Sequence, residues 1–228
     1  MNVTIRIWIA VVAGVIWALG MHAPFSLAAA EDSASVSGVI RVEQARAKTD
    51  GPKSFKDVVV SLEPAQPGSY TPPAGRAEMD QRGLIFIPHV MAIQKGATVD
   101  FLNNDNDRHN VYFLFDDTGD TLDIGTWGPG QTVSHTFERA GMIITLCQLH
   151  LEMAAYILVF DHPYFTVVEI DADGQKAEFR FDSVPPGQYR LKAWHKNLFV
   201  KGGSAEITVS AGENVQRDIV ITKKKYAN

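Results

Sequence analysis

Residues 147–153 read CQLHLEM and place three metal-binding side chains in one short segment. Cys147 is the only cysteine of the chain, His150 follows it by three positions, and Met153 follows His150 by three. Strand-like apolar runs at 142–146 and 154–160 flank the segment, which is therefore predicted to be a tight loop between two strands. A thiolate, an imidazole and a thioether on one loop indicate a site for a soft transition metal.

A second histidine is expected from another part of the chain, and His109 is the best candidate. It lies in the polar segment NNDNDRHN, residues 103–110, directly ahead of another strand-like run. Two histidines, one cysteine and a weakly bound methionine form a trigonal blue-copper site, in which methionine is the long axial ligand. Met153 is the expected axial ligand, with Gln148 and Glu152 as nearby alternatives.

Residues 1–30 have the order of a secretory signal peptide. One charge, Arg6, precedes an apolar run at 7–19, and the segment ends in three alanines up to Ala30. The apolar run is shorter than the roughly 20 residues that a membrane helix requires. Cleavage near Ala30 is expected, with an uncleaved anchor as the alternative. The chain is predicted to be exported to the periplasm and to have no membrane span after cleavage.

The composition excludes several classes of partner. The formal net charge is −5 and the only basic run is residues 223–225, which argues against nucleic acid and anionic lipid. A single cysteine in an exported chain is buried and inert, linked between chains, or bound to a metal. The neighbouring His150 and Met153 favour the metal.

Short strand-like runs separated by turns follow the leader. They are predicted at 36–42, 57–63, 84–87, 90–93, 98–103, 109–115, 132–137, 143–147, 155–160, 165–170, 178–181, 189–194, 205–209 and 218–222. Strands of this length, with turns every eight to twelve residues or so, predict an all-β fold, an antiparallel sandwich or barrel. The proline-rich segment 64–75 is predicted to be an exposed linker between domains.

Both ends of the exported chain resemble one accessory module. The segment DADGQKAEFRFDSVPPGQYRLKAW, residues 171–194, is similar to the carboxypeptidase regulatory-like (transthyretin-like) sandwich, and VSGVIRV and DVVVSLEP resemble its first two strands. The resemblance implies a discontinuous transthyretin-like or immunoglobulin-like β-sandwich of residues 31–66 and 164–228. Residues 67–163 would then form an inserted domain. Alternatively, residues 36–63 begin the middle domain.

The middle of the chain, residues 79–161, resembles the cupredoxin family. The resemblance is carried by FIPHVMAIQKGATVDFLNND, HNV, GPG, FERAG and CQLHLEM. The ligand-loop spacing is most similar to amicyanin, and FIPH, HNVYFLF, CQLH and DHPYF resemble bacterial plastocyanin-like proteins labelled methylamine utilization proteins. The resemblance implies a Greek-key β-sandwich that binds one type 1 copper ion.

The same resemblance implies roles for individual residues. It gives His109, Cys147 and His150 as copper ligands and Met153 as the axial ligand. Asn110 matches the residue that braces the ligand loops from outside the ligand set, and a hydrogen bond toward the sulfur tunes the potential of such a site.

Other positions are open or depart from the family pattern. His89, in FIPH, is a possible further ligand or a packed residue. Relatives commonly have proline beside the second histidine, whereas Leu149 and Leu151 flank it here, which leaves the loop less constrained. The remaining histidines after the leader are predicted to have structural or surface positions: His135 on an exposed strand, His162 at the domain junction and His195 in the accessory module. For His195 the alternative is a contact with a partner or with the other domain.

These features predict an exported one-electron carrier. Its partner is a redox protein, a cytochrome or a dehydrogenase, whose identity stays open. Trp127, Leu149 and Leu151 are predicted to form an apolar rim for brief docking at His150, with ordinary core positions as the alternative. The alternatives are copper storage or delivery, a non-redox β-sandwich binding module with a degenerate site, and a copper enzyme with an open coordination position.

Overall fold

The computed structural model describes residues 34–43, 55–170, 176–200 and 204–223. The predicted leader, residues 1–30, lies outside these ranges. In the described parts of the chain every secondary-structure element is a β-strand. No helix that could span a membrane is found there.

The strands are short and follow one another through the chain. They are β1 (Ala34–Glu43), β2 (Phe55–Pro64), β3 (Arg76–Gln81), β4 (Phe86–Ile87), β5 (Val90–Gln94), β6 (Thr98–Asn103), β7 (His109–Phe115), β8 (Thr121–Trp127), β9 (Thr132–Thr136), β10 (Gly141–Leu146), β11 (Ala154–Phe160), β12 (Phe165–Ile170), β13 (Lys176–Val184), β14 (Gly187–Trp194), β15 (Leu198–Val200), β16 (Ala205–Val209), β17 (Asn214–Gln216) and β18 (Ile219–Lys223).

These strands form four sheets. Sheet A has the order β13-β1-β18-β15, with β17 also paired to β1, and sheet B has the order β12-β2-β14-β16. Sheet C has the order β4-β3-β6-β9, and sheet D the order β5-β11-β10-β7-β8. Sheets A and B enclose one apolar core and form the terminal sandwich, whereas sheets C and D enclose a second core and form the central sandwich. The predicted all-β fold with two sandwiches is confirmed. The expectation of purely antiparallel pairing is wrong, because β3 pairs parallel with β6 and β5 pairs parallel with β11.

The terminal sandwich combines strands from both ends of the chain. Strand β1 pairs antiparallel with β13 and parallel with β18, and β2 pairs antiparallel with β12 and β14. Its core brings Val36, Ile40 and Leu62 together with Phe179 and Ile207. These pairings support the proposed discontinuous sandwich, while the boundaries after residues 66 and 163 stay a prediction.

Two strands of the central sandwich have no clear sequence signal. Strand β3 reads RAEMDQ, in which only Met79 and Gln81 are buried, and β8 reads TLDIGTW, in which only Trp127 is buried. Each is stabilised by pairing with a neighbour of stronger alternation, β3 with β6 and β8 with β7. Strand pairing thus overrides the weak local pattern of these segments.

A third apolar cluster joins the two sandwiches. Val59 of β2 packs with Val90 and Leu158 of sheet D, and all three are buried. Partly buried neighbours complete the contact: Ala92, Met142, Tyr156, Phe160 and Trp194. Each fully buried valine or leucine contributes about 1.5–3 kcal/mol relative to an exposed one. The four sheets are therefore stacked in the order A, B, D, C.

Adjacent strands of sheet D bring distant residues to one end of the central sandwich. Strand β10 lies between β7 and β11, and Leu146 is paired with both Tyr112 and Ala154. The first residue of β7 and the loop from β10 to β11 consequently lie side by side. That loop contains Cys147, His150 and Met153.

Gly38 allows a close backbone approach in the terminal sandwich. A Cβ atom at this position would lie 1.9 Å from the carbonyl oxygen of Arg217 and 2.9 Å from the ring of Phe179. The Arg217 segment is fixed by the bond that its N–H donates to the Ser37 carbonyl at 2.8 Å. Room for a methyl group would require the backbone to move.

We therefore expect Gly38→Ala to lower the free energy of unfolding by about 1–3 kcal/mol, as overpacked core positions do. Urea denaturation measures this change. Gly75→Ala is the matched control, because a Cβ atom there meets nothing within 4 Å. Equal stability of the two variants would contradict the prediction.

Candidate metal centre

Three of the predicted ligands meet at the end of the central sandwich where the start of β7 lies beside the loop from β10 to β11. His109 Nδ1 lies 3.1 Å from His150 Nδ1, and Cys147 Sγ lies 3.8 Å from the same nitrogen. The three donor atoms lie within 4.8 Å of one another, and this is the only such group of His, Cys, Asp and Glu residues in the described ranges. Two donors on bonds of about 2.0–2.3 Å to one ion lie at most about 4.3 Å apart, so both measured distances fit a shared metal.

Asp105 determines which nitrogen of His109 faces the other donors. The His109 ring is fully buried, and its Nε2 lies 3.1 Å from Asp105 Oδ2. Bonds donated by the backbone N–H groups of Leu84 and Asn106, together with the bond to His109, hold the pKa of Asp105 at about 2. The ionised carboxylate can only accept, so Nε2 carries the proton and Nδ1 presents its lone pair to the site.

Sequence reasoning missed Asp105. The signal available was a carboxylate four residues before a candidate ligand, within a polar turn. Asn103 stabilises this turn by accepting a bond from the Asp105 N–H at 3.0 Å and donating to the carbonyl of Asp107 at 2.8 Å.

Asn110 connects the ligand segments to each other. Its backbone N–H donates to Cys147 Sγ at 3.5 Å, and its side-chain oxygen accepts from the N–H of Gln148 at 3.2 Å. The side-chain nitrogen donates to Asp123 Oδ1 at 2.8 Å and to the carbonyl of Gly125 at 3.0 Å. These bonds tie β7, β8 and the ligand loop together, and they support the bracing role proposed for Asn110.

Two backbone hydrogen bonds close the ligand loop. The N–H of Cys147 donates to the carbonyl of Met153 at 3.3 Å, and the N–H of Met153 donates to the carbonyl of His150 at 3.0 Å. Met153 is 1% exposed and belongs to the same core cluster as Cys147. The alternatives Gln148 and Glu152 are exposed. Burial therefore favours Met153, whose axial role stays a prediction.

His150 is the member of the group that reaches the surface. Its side chain is half-buried, and the flanking Leu149 and Leu151 are 53% and 86% exposed. Trp127 is only 4% exposed and packs in the core, where its backbone pairs with His109. The prediction that Trp127 joins the apolar rim is wrong, because the β7–β8 pairing turns its ring inward.

The structure does not bring His89 into the donor group. Its Nε2 lies 2.9 Å from Lys196 Nζ, at the contact between the two sandwiches. His162 and His195 are buried at 1% and 8% exposure, and each accepts a hydrogen bond at Nδ1 from a backbone N–H two residues later.

The predicted surface position of His135 is wrong. In the pairing with β6, His135 lies opposite Val99 and shares the inward face of β9 with Val133. Its ring packs against Phe113 and Phe137, with centroid distances of 5.2 and 4.8 Å. Burial lowers the pKa of His135, which favours the neutral ring.

A buried cysteine and two histidines at one end of a β-sandwich are typical of copper-binding cupredoxin domains. The family model described as copper binding proteins, plastocyanin/azurin family, matches residues 74–160. The central sandwich is a cupredoxin domain. A second family model, polysaccharide lyase family 4, domain II, matches residues 164–217. That match fits the additional β-sandwich, although it names a different module from the carboxypeptidase regulatory-like one.

Several solved structures are similar to part of the chain. A novel purple cupredoxin from Nitrosopumilus maritimus has 20% identity and a TM-score of 0.33, over 36% of this chain and 98% of that one. Amicyanin from Paracoccus versutus has 21% identity and a TM-score of 0.35, over 43% and 97%. A copper-containing nitrite reductase from Thermus scotoductus has 25% identity and a TM-score of 0.36, over 44% and 26%. The TM-scores are below 0.5, so the assignment rests on the family match to residues 74–160. Comparison with curated proteins gave no match.

We expect Asp105→Asn to weaken copper binding by about 10- to 100-fold, the range found when a group bonded to a metal ligand is removed. An amide can donate as well as accept, so it no longer requires His109 Nε2 to carry the proton. Competition with a chelator of known affinity measures the change. Asp107→Asn is the matched control, because Asp107 is an exposed aspartate in the same turn. An equal loss of copper affinity in both variants would contradict a specific role of Asp105.

Proposed function

We propose that this chain is an exported type 1 copper protein that carries single electrons between redox partners. The observation that carries the proposal is the convergence of His109 Nδ1, Cys147 Sγ and His150 Nδ1 in a cupredoxin domain. One copper ion held by these donors, with Met153 as axial ligand, would supply exchange between two oxidation states that differ by one electron.

The protein contributes a donor set that is fixed before an electron arrives. His109 and Cys147 are buried, and Asp105 and Asn110 hold them by hydrogen bonds. Buried polar groups whose hydrogen bonds are satisfied rigidify their surroundings. A rigid donor set changes little between oxidation states, which favours fast electron exchange over ligand substitution.

The surface at His150 is proposed as the contact for the redox partner, a cytochrome or a dehydrogenase. His150 links the buried donors to solvent, and Leu149 and Leu151 present exposed apolar area on either side of it. Small, apolar contacts suit redox encounters, which typically bury less than about 1,200 Å². Association would therefore be brief.

Export to the periplasm is part of the proposal and is supported by the leader-like order of residues 1–30. The single cysteine agrees with it, because Cys147 is buried beside two histidines and exposes no thiol to an oxidising compartment.

Copper-loaded protein is expected to show the intense visible absorption of a thiolate–copper bond and a reversible midpoint potential. Cys147→Ala should abolish the absorption, because it removes the thiolate.

Rapid transfer of copper to a chelator would instead indicate storage or delivery. Undiminished copper binding by Cys147→Ala would indicate a degenerate site, and a bound water would indicate an open position for catalysis.

We expect Leu151→Asp to slow electron exchange between two copies of the protein by about tenfold or more, because a buried and unpaired charge costs several kcal/mol at an apolar contact. NMR line broadening in mixtures of oxidised and reduced protein measures the rate. Leu122→Asp is the control, since Leu122 is an exposed leucine on β8. Equal slowing by both variants would mean that charge alone, and not this surface, sets the rate.

A further inference from the structure

His89 joins the two sandwiches beside the ligand loop. It directly precedes β5, and its Nε2 lies 2.9 Å from Lys196 Nζ of the terminal sandwich. Its ring packs edge-on against Tyr156 at a centroid distance of 5.5 Å, and Tyr156 packs against Trp194 at 5.4 Å. The backbone carbonyl of His89 accepts the N–H of Tyr156 at 2.9 Å. Both the ring and the backbone of His89 are thus held in place.

The bond to Lys196 defines the protonation state of this ring. A lysine ammonium has only donors, so Lys196 donates and His89 Nε2 accepts. Burial and the charge of Lys196 lower the pKa of His89, with Asp57 acting in the opposite direction. A neutral ring that accepts at Nε2 carries its proton on Nδ1.

Tyr156 gives this contact its importance for the site. It is the third residue after Met153 and belongs to β11, and both its ring and its backbone N–H contact His89. The strand that follows the ligand loop is therefore held by His89. Because Nε2 of His89 bonds to Lys196, this nitrogen is not available to a metal in this arrangement.

We propose that His89 is a positioning residue through which Lys196 of the terminal sandwich holds β11, the strand that begins at the Met153 end of the ligand loop. Its effect on copper rests on the proposed function, whereas its effect on the loop does not. The terminal sandwich then acts as a brace for the site, in addition to covering the outer face of sheet D. The axial side of a trigonal copper site is where such a brace acts most directly on potential.

The test uses the full chain with three variants. Lys196→Met removes the ammonium and keeps a long side chain, and His89→Phe removes both ring nitrogens and keeps the packing against Tyr156. The third variant combines the two substitutions. Lys192→Met is the matched control, because Lys192 lies in the same sandwich and forms an ion pair with Glu63 at 2.6 Å. Circular dichroism and urea denaturation establish that each variant is folded.

The first readout is hydrogen–deuterium exchange of copper-free protein. We expect residues 148–155 to exchange about 3- to 10-fold faster in Lys196→Met and in His89→Phe, but not in Lys192→Met. Copper affinity, measured by chelator competition, should fall by a similar factor, below the 10- to 100-fold typical of groups bonded directly to a ligand. The visible spectrum should shift in the same two variants.

The double variant decides whether the two residues act as one unit. If Lys196 acts through His89, adding Lys196→Met to His89→Phe changes nothing further, so the effects are non-additive. Additive effects, or unchanged exchange at 148–155 in both single variants, overturn the inference. If the parent protein lacks the visible absorption, the proposed electron carrier fails, while exchange in the copper-free protein still decides the role of His89.

Discussion

The candidate site depends on the buried side chain of Asn110. Its amide bonds to Asp123 and Gly125 on one side and to Gln148 on the other, while its backbone N–H points at Cys147. Such a group is costly to bury unless its donors and acceptors are paired. The requirement to pair them aligns β7, β8 and the ligand loop, and the alignment of these segments brings the donor atoms within reach of one ion.

In the stack of four sheets, the outer face of sheet D is covered while its His150 end stays exposed. The terminal sandwich covers the outer face of sheet D through Val59, Val90 and Leu158. The end of the sheet that bears His150 keeps Leu149 and Leu151 exposed. A partner that approaches the cupredoxin domain therefore finds the outer face of sheet D already occupied and the His150 end accessible. The proposed docking contact and the contact between the sandwiches therefore lie on different surfaces of the same sheet.

Side-chain chemistry and alternation were sufficient to predict a large part of the molecule. The donor triad follows from the only cysteine, from His150 three residues later and from His109 at the start of another strand-like run, and most strands follow from alternating apolar residues. The errors have a common cause. His135 was placed on the wrong face because the phase of a short strand is set by its partner, here Val99 of β6. Strand β3 is likewise held by pairing rather than by its own pattern.

The polar contact between the two sandwiches escaped prediction. The His89–Lys196 bond spans 107 positions, and no local pattern encodes it. Asp105 was closer to detection, because it lies four residues before His109, but its role depends on how the turn folds back. Positions of this kind require the three-dimensional structure.

Strands β2 and β12 are antiparallel neighbours, with Ser61 opposite Phe165. In topological terms the cupredoxin domain, about 100 residues, takes the place of a hairpin turn. A disordered connection of that length would cost about 3 kcal/mol more closure entropy than a four-residue turn. A folded insert whose two ends already lie side by side avoids most of that cost. During synthesis β2 can pair with β12 only after the whole insert has been made. The order of the elements along the chain therefore makes this pairing a late step of folding.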